Sequence, residues 1–559
     1  MSTEESSPKP EPTPISAPIS SIPQKRALED DHQPTVSSPL NPDFKASKDD
    51  VPLARERASR AKKESLKKRE SKGADSTRAT PDPKASTQKH KKNGTVLAPI
   101  RYKLPPPKIT DFEAPRGPVF TLSHTKTTGP FETQFYETTD HVYNKKNYHY
   151  THCIADPAFP SSLYYRQSET EPFGARLNFE DTATHMFLDK AAHSVTTEKG
   201  FRMAKANVGV REGRWYWECR ILSGIPRDGM HGTDQSPRGH VRVGWARREA
   251  TLDAPVGFDA YSYGIRDVAG QKVHMSRPKD FFPIGEDVRE GDVIGLEINL
   301  PSQSLHRKIV EGHYNPAVDL EDDGNAPTDA PDIIRDRVPI RFKAHLYFEQ
   351  IEYHASKELE ELMNPSPVIS SNGGLAGGGQ KPSPTHTCPA LRTLPHSSIK
   401  VYKNGREIGT AFKDLLAFLP PASKPLAQVG AREGLDDGML GYYPAVSVFR
   451  GGAAEVNFGP SWWYAPPDWR SNDDDDVDMA GSDQPRTSKL NRLRAVAERY
   501  DEQIVEDIVY DIIDEVDFWM QDGGVVGGAT NGIRPSGGVA MQDESLAGGG
   551  IREILQDDE

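Results

Sequence analysis

The chain has 559 residues, is only 35% apolar, holds 46 Gly and 47 Pro, and carries a formal net charge of −13. So much Gly and Pro beside so little apolar content leaves a good part of the chain outside any packed core, and one large domain with tails is expected rather than several domains. No run of 18 or more apolar residues occurs, which argues against a membrane span. The Pro/Ser-rich N-terminus has no apolar centre of a secretory signal. Three cysteines far apart (Cys153, Cys219, Cys388) argue against a disulfide framework and a four-thiolate zinc site, and fit a reducing nuclear or cytosolic compartment.

Residues 1–95 are poor in aromatics and rich in Pro, Ser, Lys and Glu, the composition of a disordered arm. From Lys45 to Lys92 sixteen Lys/Arg stand against seven Asp/Glu, so this arm is basic while the rest of the chain is acidic. Lys62, Lys63, Lys67, Lys68 and Arg69 fit an import signal, a contact to DNA phosphates through counterion release, or a merely solvated tail.

Order is expected from residue 96 to 470. Phe120 to Phe187 suits short strands and long loops. The alternating segments Phe201–Val210, Gly213–Ile221, Val241–Ala246 and Gly291–Leu300 follow, each bounded by turn-forming residues and each with the period of a half-buried strand. Cys219 lies in one of them and reads as a small buried side chain. Two insertions, about 301–339 and 364–397, interrupt the pattern, with one alternating strand candidate between them at Ile340–Glu349. Longer surface loops cost little extra closure entropy, roughly 0.6 kcal/mol per doubling. Asn404–Gly405 between alternating segments predicts a tight hairpin, because both residues tolerate positive φ. Tyr443–Phe449 and Ala454–Pro460 add two strands.

Residues 471–488 form an acidic linker, and the period changes over 489–520. Val505, Ile508, Val509, Ile512 and Val516 fall on one stripe of a helix that ends at Gly523–Gly524, with a Gly-rich, disordered tail over 521–559. Glu502, Glu506, Asp507, Asp511, Asp514 and Asp517 occupy its other faces. The length of the linker lets this helix leave the β domain.

No phosphate-binding loop, His-Glu-x-x-His, Cys-x-x-Cys or Gly-x-Ser-x-Gly pattern is present. His149 and His152, without a neighbouring Cys or carboxylate cluster, read as loop histidines. No catalytic residue, metal site, cofactor or small-molecule substrate is expected.

Trp215-Tyr-Trp-Glu, Arg242-Val-Gly-Trp, Gly257-Phe-Asp, Gly291-Asp-Val-Ile-Gly, Tyr402-Lys-Asn-Gly and Val456-Asn-Phe-Gly-Pro together resemble a SPRY domain, an all-β, two-sheet sandwich. More narrowly, Leu252–Arg266, Arg341–Glu349 and Val505–Val516 resemble the Ash-two-like/Bre-two family, the SPRY subunits of the COMPASS (Set/MLL) histone H3 lysine-4 methyltransferase complex. The match spans roughly residues 195–520 in the family's order. The resemblance implies a nuclear, non-catalytic scaffold that stimulates a SET-domain methyltransferase. It implies that Phe201, Arg242, Pro255, Phe258 and Arg266 grip an acidic segment of the WD-repeat subunit. Phe201 and Phe258 stand where the animal form has Tyr, so no phenolic hydroxyl is available there. It further implies that Val505, Ile508, Val509, Ile512 and Val516 dock a Dpy-thirty-type homodimer, a helix-in-groove mode. The N-terminal zinc finger of animal relatives is absent from this sequence. Two alternatives stay open: a SPRY adaptor of a ubiquitin ligase or ribonucleoprotein, and a helix packed back on its own sandwich.

Overall fold

A computed structural model describes residues 99–100, 104, 106–128, 131–144, 147–156, 165–227, 239–319, 333–364, 381–425, 432, 434–470, 492–521 and 551–554. The basic arm with Lys62, Lys63, Lys67, Lys68 and Arg69, and the acidic linker, lie outside the described residues.

In chain order the strands are β1 (Val119–Thr128), β2 (Phe131–Thr139), β3 (Tyr148–Ala155), β4 (Tyr165–Gln167), β5 (Leu177–Thr182), β6 (Phe187–Leu188) and β7 (Ser194–Thr196). Then come β8 (Arg202–Ala206), β9 (Gly213–Ser223), β10 (His240–Ala246), β11 (Ser262–Arg266), β12 (Lys272–His274), β13 (Arg277–Lys279) and β14 (Val293–Leu300). After helix α1 (Gln303–Glu311) follow β15 (Arg337–Phe342), β16 (His345–Ile351), helix α2 (Lys357–Met363), β17 (Ser398–Lys403) and β18 (Arg406–Lys413). The last elements are β19 (Tyr443–Phe449), β20 (Ala453–Asn457), β21 (Leu493–Ala495) and the helix α3 (Val496–Gln521).

Two sheets make the sandwich. One has ten strands in the order β1-β2-β6-β7-β20-β9-β14-β17-β18, with β21 added on β9; the other has seven, β13-β12-β11-β10-β19-β8-β5. Their inner faces meet through the alternate residues that the sequence pattern marks as apolar: Trp217, Ile294, Leu296 and Val401 from one sheet, Val243, Trp245, Val446 and Val448 from the other. Trp217 and Trp245 cross edge-to-face at 6.3 Å between ring centroids, a favoured aromatic geometry. Gly244 is required beside Trp245, since a Cβ there would sit 1.9 Å from the Tyr263 carbonyl oxygen. Cys219 is buried in this core, as expected.

Asn404 (φ 51°) and Gly405 (φ 79°) turn the β17–β18 hairpin as the sequence predicts. Elsewhere the structure departs from the reading. Phe120 to Phe187 holds a long hairpin, β1–β2, rather than short strands alone. Ile340–Glu349 is not one strand but parts of two, β15 and β16, reversing at Lys343 with φ 51°. With β3 and β4 they form a third, four-stranded sheet, β15-β16-β3-β4. His149 and His152 are therefore buried strand residues of β3, not loop histidines. The first insertion opens with α1, capped by the Ser302 hydroxyl accepting from the Leu305 N–H, with Leu305, Ile309 and Val310 buried in the main core.

Residues 493–495 are strand rather than helix. β20 pairs with Glu218–Ser223 of β9 and leaves Arg214–Tyr216 of that edge for β21, while Leu493 packs on Tyr216 and Tyr402. Within the tail read as disordered, residues 551–554 lie against β15.

Candidate protein-docking surfaces

The outer face of the seven-stranded sheet carries the first candidate set. On β10, Val241 and Val243 point into the core and Arg242 points out. Arg242 pairs in register with Arg266 on β11 and with Ser447 on β19. Its guanidinium lies 4.8 Å from the centroid of Phe201, which packs in turn on Phe449 at 4.9 Å. Pro255 and Phe258 come from the loop between β10 and β11. That loop is tied over the same face by the Val256 N–H donating to the Ser447 hydroxyl at 3.0 Å, while the Phe258 N–H donates to the Pro255 carbonyl. Phe258 is 44% exposed. The five residues thus share one face.

The electrostatics there are unbalanced. Arg266 donates from Nε to the Val268 carbonyl at 3.3 Å, but among the described residues neither Arg242 nor Arg266 has a carboxylate within ion-pair distance. Burial, and then repulsion from Arg266, lower the Arg242 guanidinium to about 10. Two forked donors held side by side on a hydrophobic rim are matched to a carboxylate-bearing segment.

The second set is on α3, and its orientation is the reverse of an ordinary amphipathic surface helix. Val505, Ile508, Val509, Ile512 and Val516 are all between 40% and 60% exposed, joined by Ile504, Ile513, Trp519 and Met520. The acidic side faces the protein. Asp511 pairs with Arg335 at 2.6 Å and makes a closer contact with Arg337, while Asp514 lies 3.4 Å from Arg335. Asp507 accepts from the Gln167 amide at 2.7 Å. Burial outweighs these arginines at two of the carboxyls, pushing Asp507 up to about 7 and Asp514 to about 6. At the helix start Val496 and Tyr500 enter the main core, and the Arg499 Nε donates to the Gly209 carbonyl. The helix does pack back on its own chain, at its start on the sandwich and from Asp507 on against β4 and β15 of the third sheet, by the face opposite to its apolar stripe.

This latch escaped the sequence reading. Its signal was present as Asp507, Asp511 and Asp514, spaced i, i+4, i+7 on one helix side, and as Arg335 and Arg337, spaced i, i+2 on an extended segment.

Among the described residues no group of three or more His, Cys, Asp or Glu is arranged to hold a metal ion, and no helix is long and apolar enough to cross a membrane.

The geometry defines an antiparallel β-sandwich with two exposed surfaces, one cationic and aromatic, one apolar and helical. No family model matches the chain. It is 59% identical over 567 aligned positions, covering 96% of each chain, to the COMPASS component cclA of Colletotrichum higginsianum. It is 38% identical to the Set1 complex component ash2 of Schizosaccharomyces pombe, over 89% of this chain and 60% of that one. To the COMPASS component BRE2 of Saccharomyces cerevisiae it is 26% identical, over 69% and 89%. The chain belongs to this Ash2/Bre2 family of COMPASS components. A crystal structure of a human SPRY domain aligns over 50% of this chain and 98% of that one, at 12% identity and a TM-score of 0.23. The sandwich is accordingly defined by its own strand pairing.

Proposed function

We propose that the protein is a nuclear, non-catalytic subunit of a COMPASS-type histone H3 lysine-4 methyltransferase complex; its relatives are named as components of COMPASS or of the Set1 complex, which supports the complex. The observation that carries the docking role is the presentation of α3. Its apolar stripe faces solvent because Asp507, Asp511 and Asp514 are held against β4 and against Arg335 and Arg337, just before and at the start of β15, in the third sheet. A stripe of nine apolar side chains that no element covers among the described residues is suited to a partner's apolar groove. The family resemblance names that partner as a Dpy-thirty-type homodimer. Phe201, Arg242, Pro255, Phe258 and Arg266 are the complementary surface for an acidic segment of the WD-repeat subunit. Holding both neighbours, the protein favours the competent arrangement of a separate SET domain by population shift, without supplying a catalytic group.

The test is reconstitution. The complex is assembled with the wild-type chain, with the chain carrying Arg242→Ala and Arg266→Ala, or without it, and methylation of histone H3 is followed. A clear drop in the last two is expected. Methylation unchanged by omission would refute the role.

A further inference from the structure

β15 is the outer strand of the four-stranded sheet, and an outer strand leaves one row of backbone donors and acceptors open to a further strand. Here part of that row is taken by the C-terminal tail. Glu553 pairs parallel with Arg341; the Arg341 N–H donates to the Arg552 carbonyl at 2.9 Å, and the Ile554 N–H donates to the Arg341 carbonyl at 2.8 Å. The two isoleucines straddle the sheet. Ile554 packs on the face formed by Ile340, Phe342 and Tyr347, and Ile551 on the opposite face with Leu346 and Phe348. Arg552 pairs with the well-covered Glu349 of β16. This is strand addition: main-chain bonds hold the segment, and apolar and charged side contacts select it.

We propose that the β15 edge is a peptide-binding site for an extended segment of the pattern apolar, basic, any residue, apolar, and that its resident ligand is the chain's own Ile551–Ile554. The contact is built to exchange. Both isoleucines are only partly buried, Arg552 and Glu553 are exposed, and just two backbone bonds hold the register. What keeps the site filled is attachment: residues 522–550 join the segment to α3, which sits on the same β15 segment through Arg337. A covalent connection of that length supplies an effective concentration on the order of millimolar. An outside peptide must outcompete it.

The test uses a synthetic peptide of residues 549–559, fluorescently labelled, against the full chain and against the chain ending at Gly548. Saturable binding to the shortened chain is expected, weaker by about ten-fold or more for the full chain, whose site is filled. An Ile554→Asp peptide should not bind, nor should the wild-type peptide bind a shortened chain carrying Glu349→Lys. Equal binding to both chains, or none to a shortened chain with unchanged tryptophan fluorescence, overturns the proposal. Should the shortened chain not fold, amide exchange in the full chain decides. Protection of the Ile554 N–H by ten-fold or more over an unstructured peptide supports the site, and exchange at the unstructured rate refutes it.

Discussion

Arg242 stands between the Phe201 ring and Arg266, with no carboxylate among the described residues within ion-pair distance; the more distant Asp267 offsets only part of the loss of solvent. A guanidinium lowered to about 10 is less favourably charged in the folded protein than in the unfolded chain. Against this stand the charge of Asp267 and the contact with Phe201, and a cation over an aromatic face contributes about 0.5–1 kcal/mol. We therefore expect Arg242→Ala to leave stability to urea unchanged or raised, within about 1 kcal/mol, while binding of an acidic segment is lost. A fall of more than about 2 kcal/mol would make Arg242 a structural residue. Phe201→Ala is the control, because it removes ring packing on Phe449 and should lower stability.

In α3 the two faces obey different energetics, and substitutions separate them. Val509 is 44% exposed, so Val509→Glu should change the stability of the free chain by less than about 0.5 kcal/mol. In the docked complex the same carboxylate would be buried without a partner, at a cost of several kcal/mol, and co-purification of the Dpy-thirty-type dimer should be lost. Arg335→Ala does the opposite. It leaves the buried Asp511 and Asp514 short of a cation, a change that typically costs about 3–5 kcal/mol, so this part of α3 should come off the third sheet as read by amide exchange over residues 507–514. The exposed stripe would survive that change, and partner binding with it, weakened by the loss of orientation.

The helix itself was visible in the sequence because its apolar period runs over several turns; which face would meet the sandwich was not. Periodicity separates an apolar from an acidic side, and the usual inference buries the apolar one. The decisive facts were Arg335 and Arg337, distant in sequence and within a stretch that reads as an insertion. The same limit applies to the third sheet. β15 and β16 reverse at Lys343-Ala344, without Gly, Asn or Pro to mark the turn, so two strands read as one. The Arg242 and Arg266 pair on neighbouring strands became visible only through the family resemblance, since strand pairing is not written in either segment alone.

Across the folded protein, acid acts in two opposite directions. His306 is fully buried and accepts at Nε2 from the N–H groups of Phe418 and Leu419, so it must be unprotonated there to do so; burial, then Arg211 and Arg247, hold its pKa well below 6.5. His149 is held down by burial, then Arg248 and Lys205. With folded values depressed, the unfolded chain takes up these protons first. The stability they contribute is present above about pH 6.5 and is lost as pH falls, at up to about 1.4 kcal/mol per group per pH unit. The helix latch has the reverse sign. Asp507, at about 7, and Asp514, at about 6, are raised from 3.8, so their protonated forms are favoured in the docked state and docking weakens as pH rises through those values. Between pH 8 and pH 5.5 the two histidines should therefore lower stability to urea, a loss that Asp507 and Asp514 offset as long as α3 stays docked. Over the same interval amide protection in residues 507–514, corrected for intrinsic exchange, should increase relative to the sandwich. Parallel loss of both would show that the ion pairs to Arg335 and Arg337, and not the burial of Asp507 and Asp514, control how tightly α3 is held.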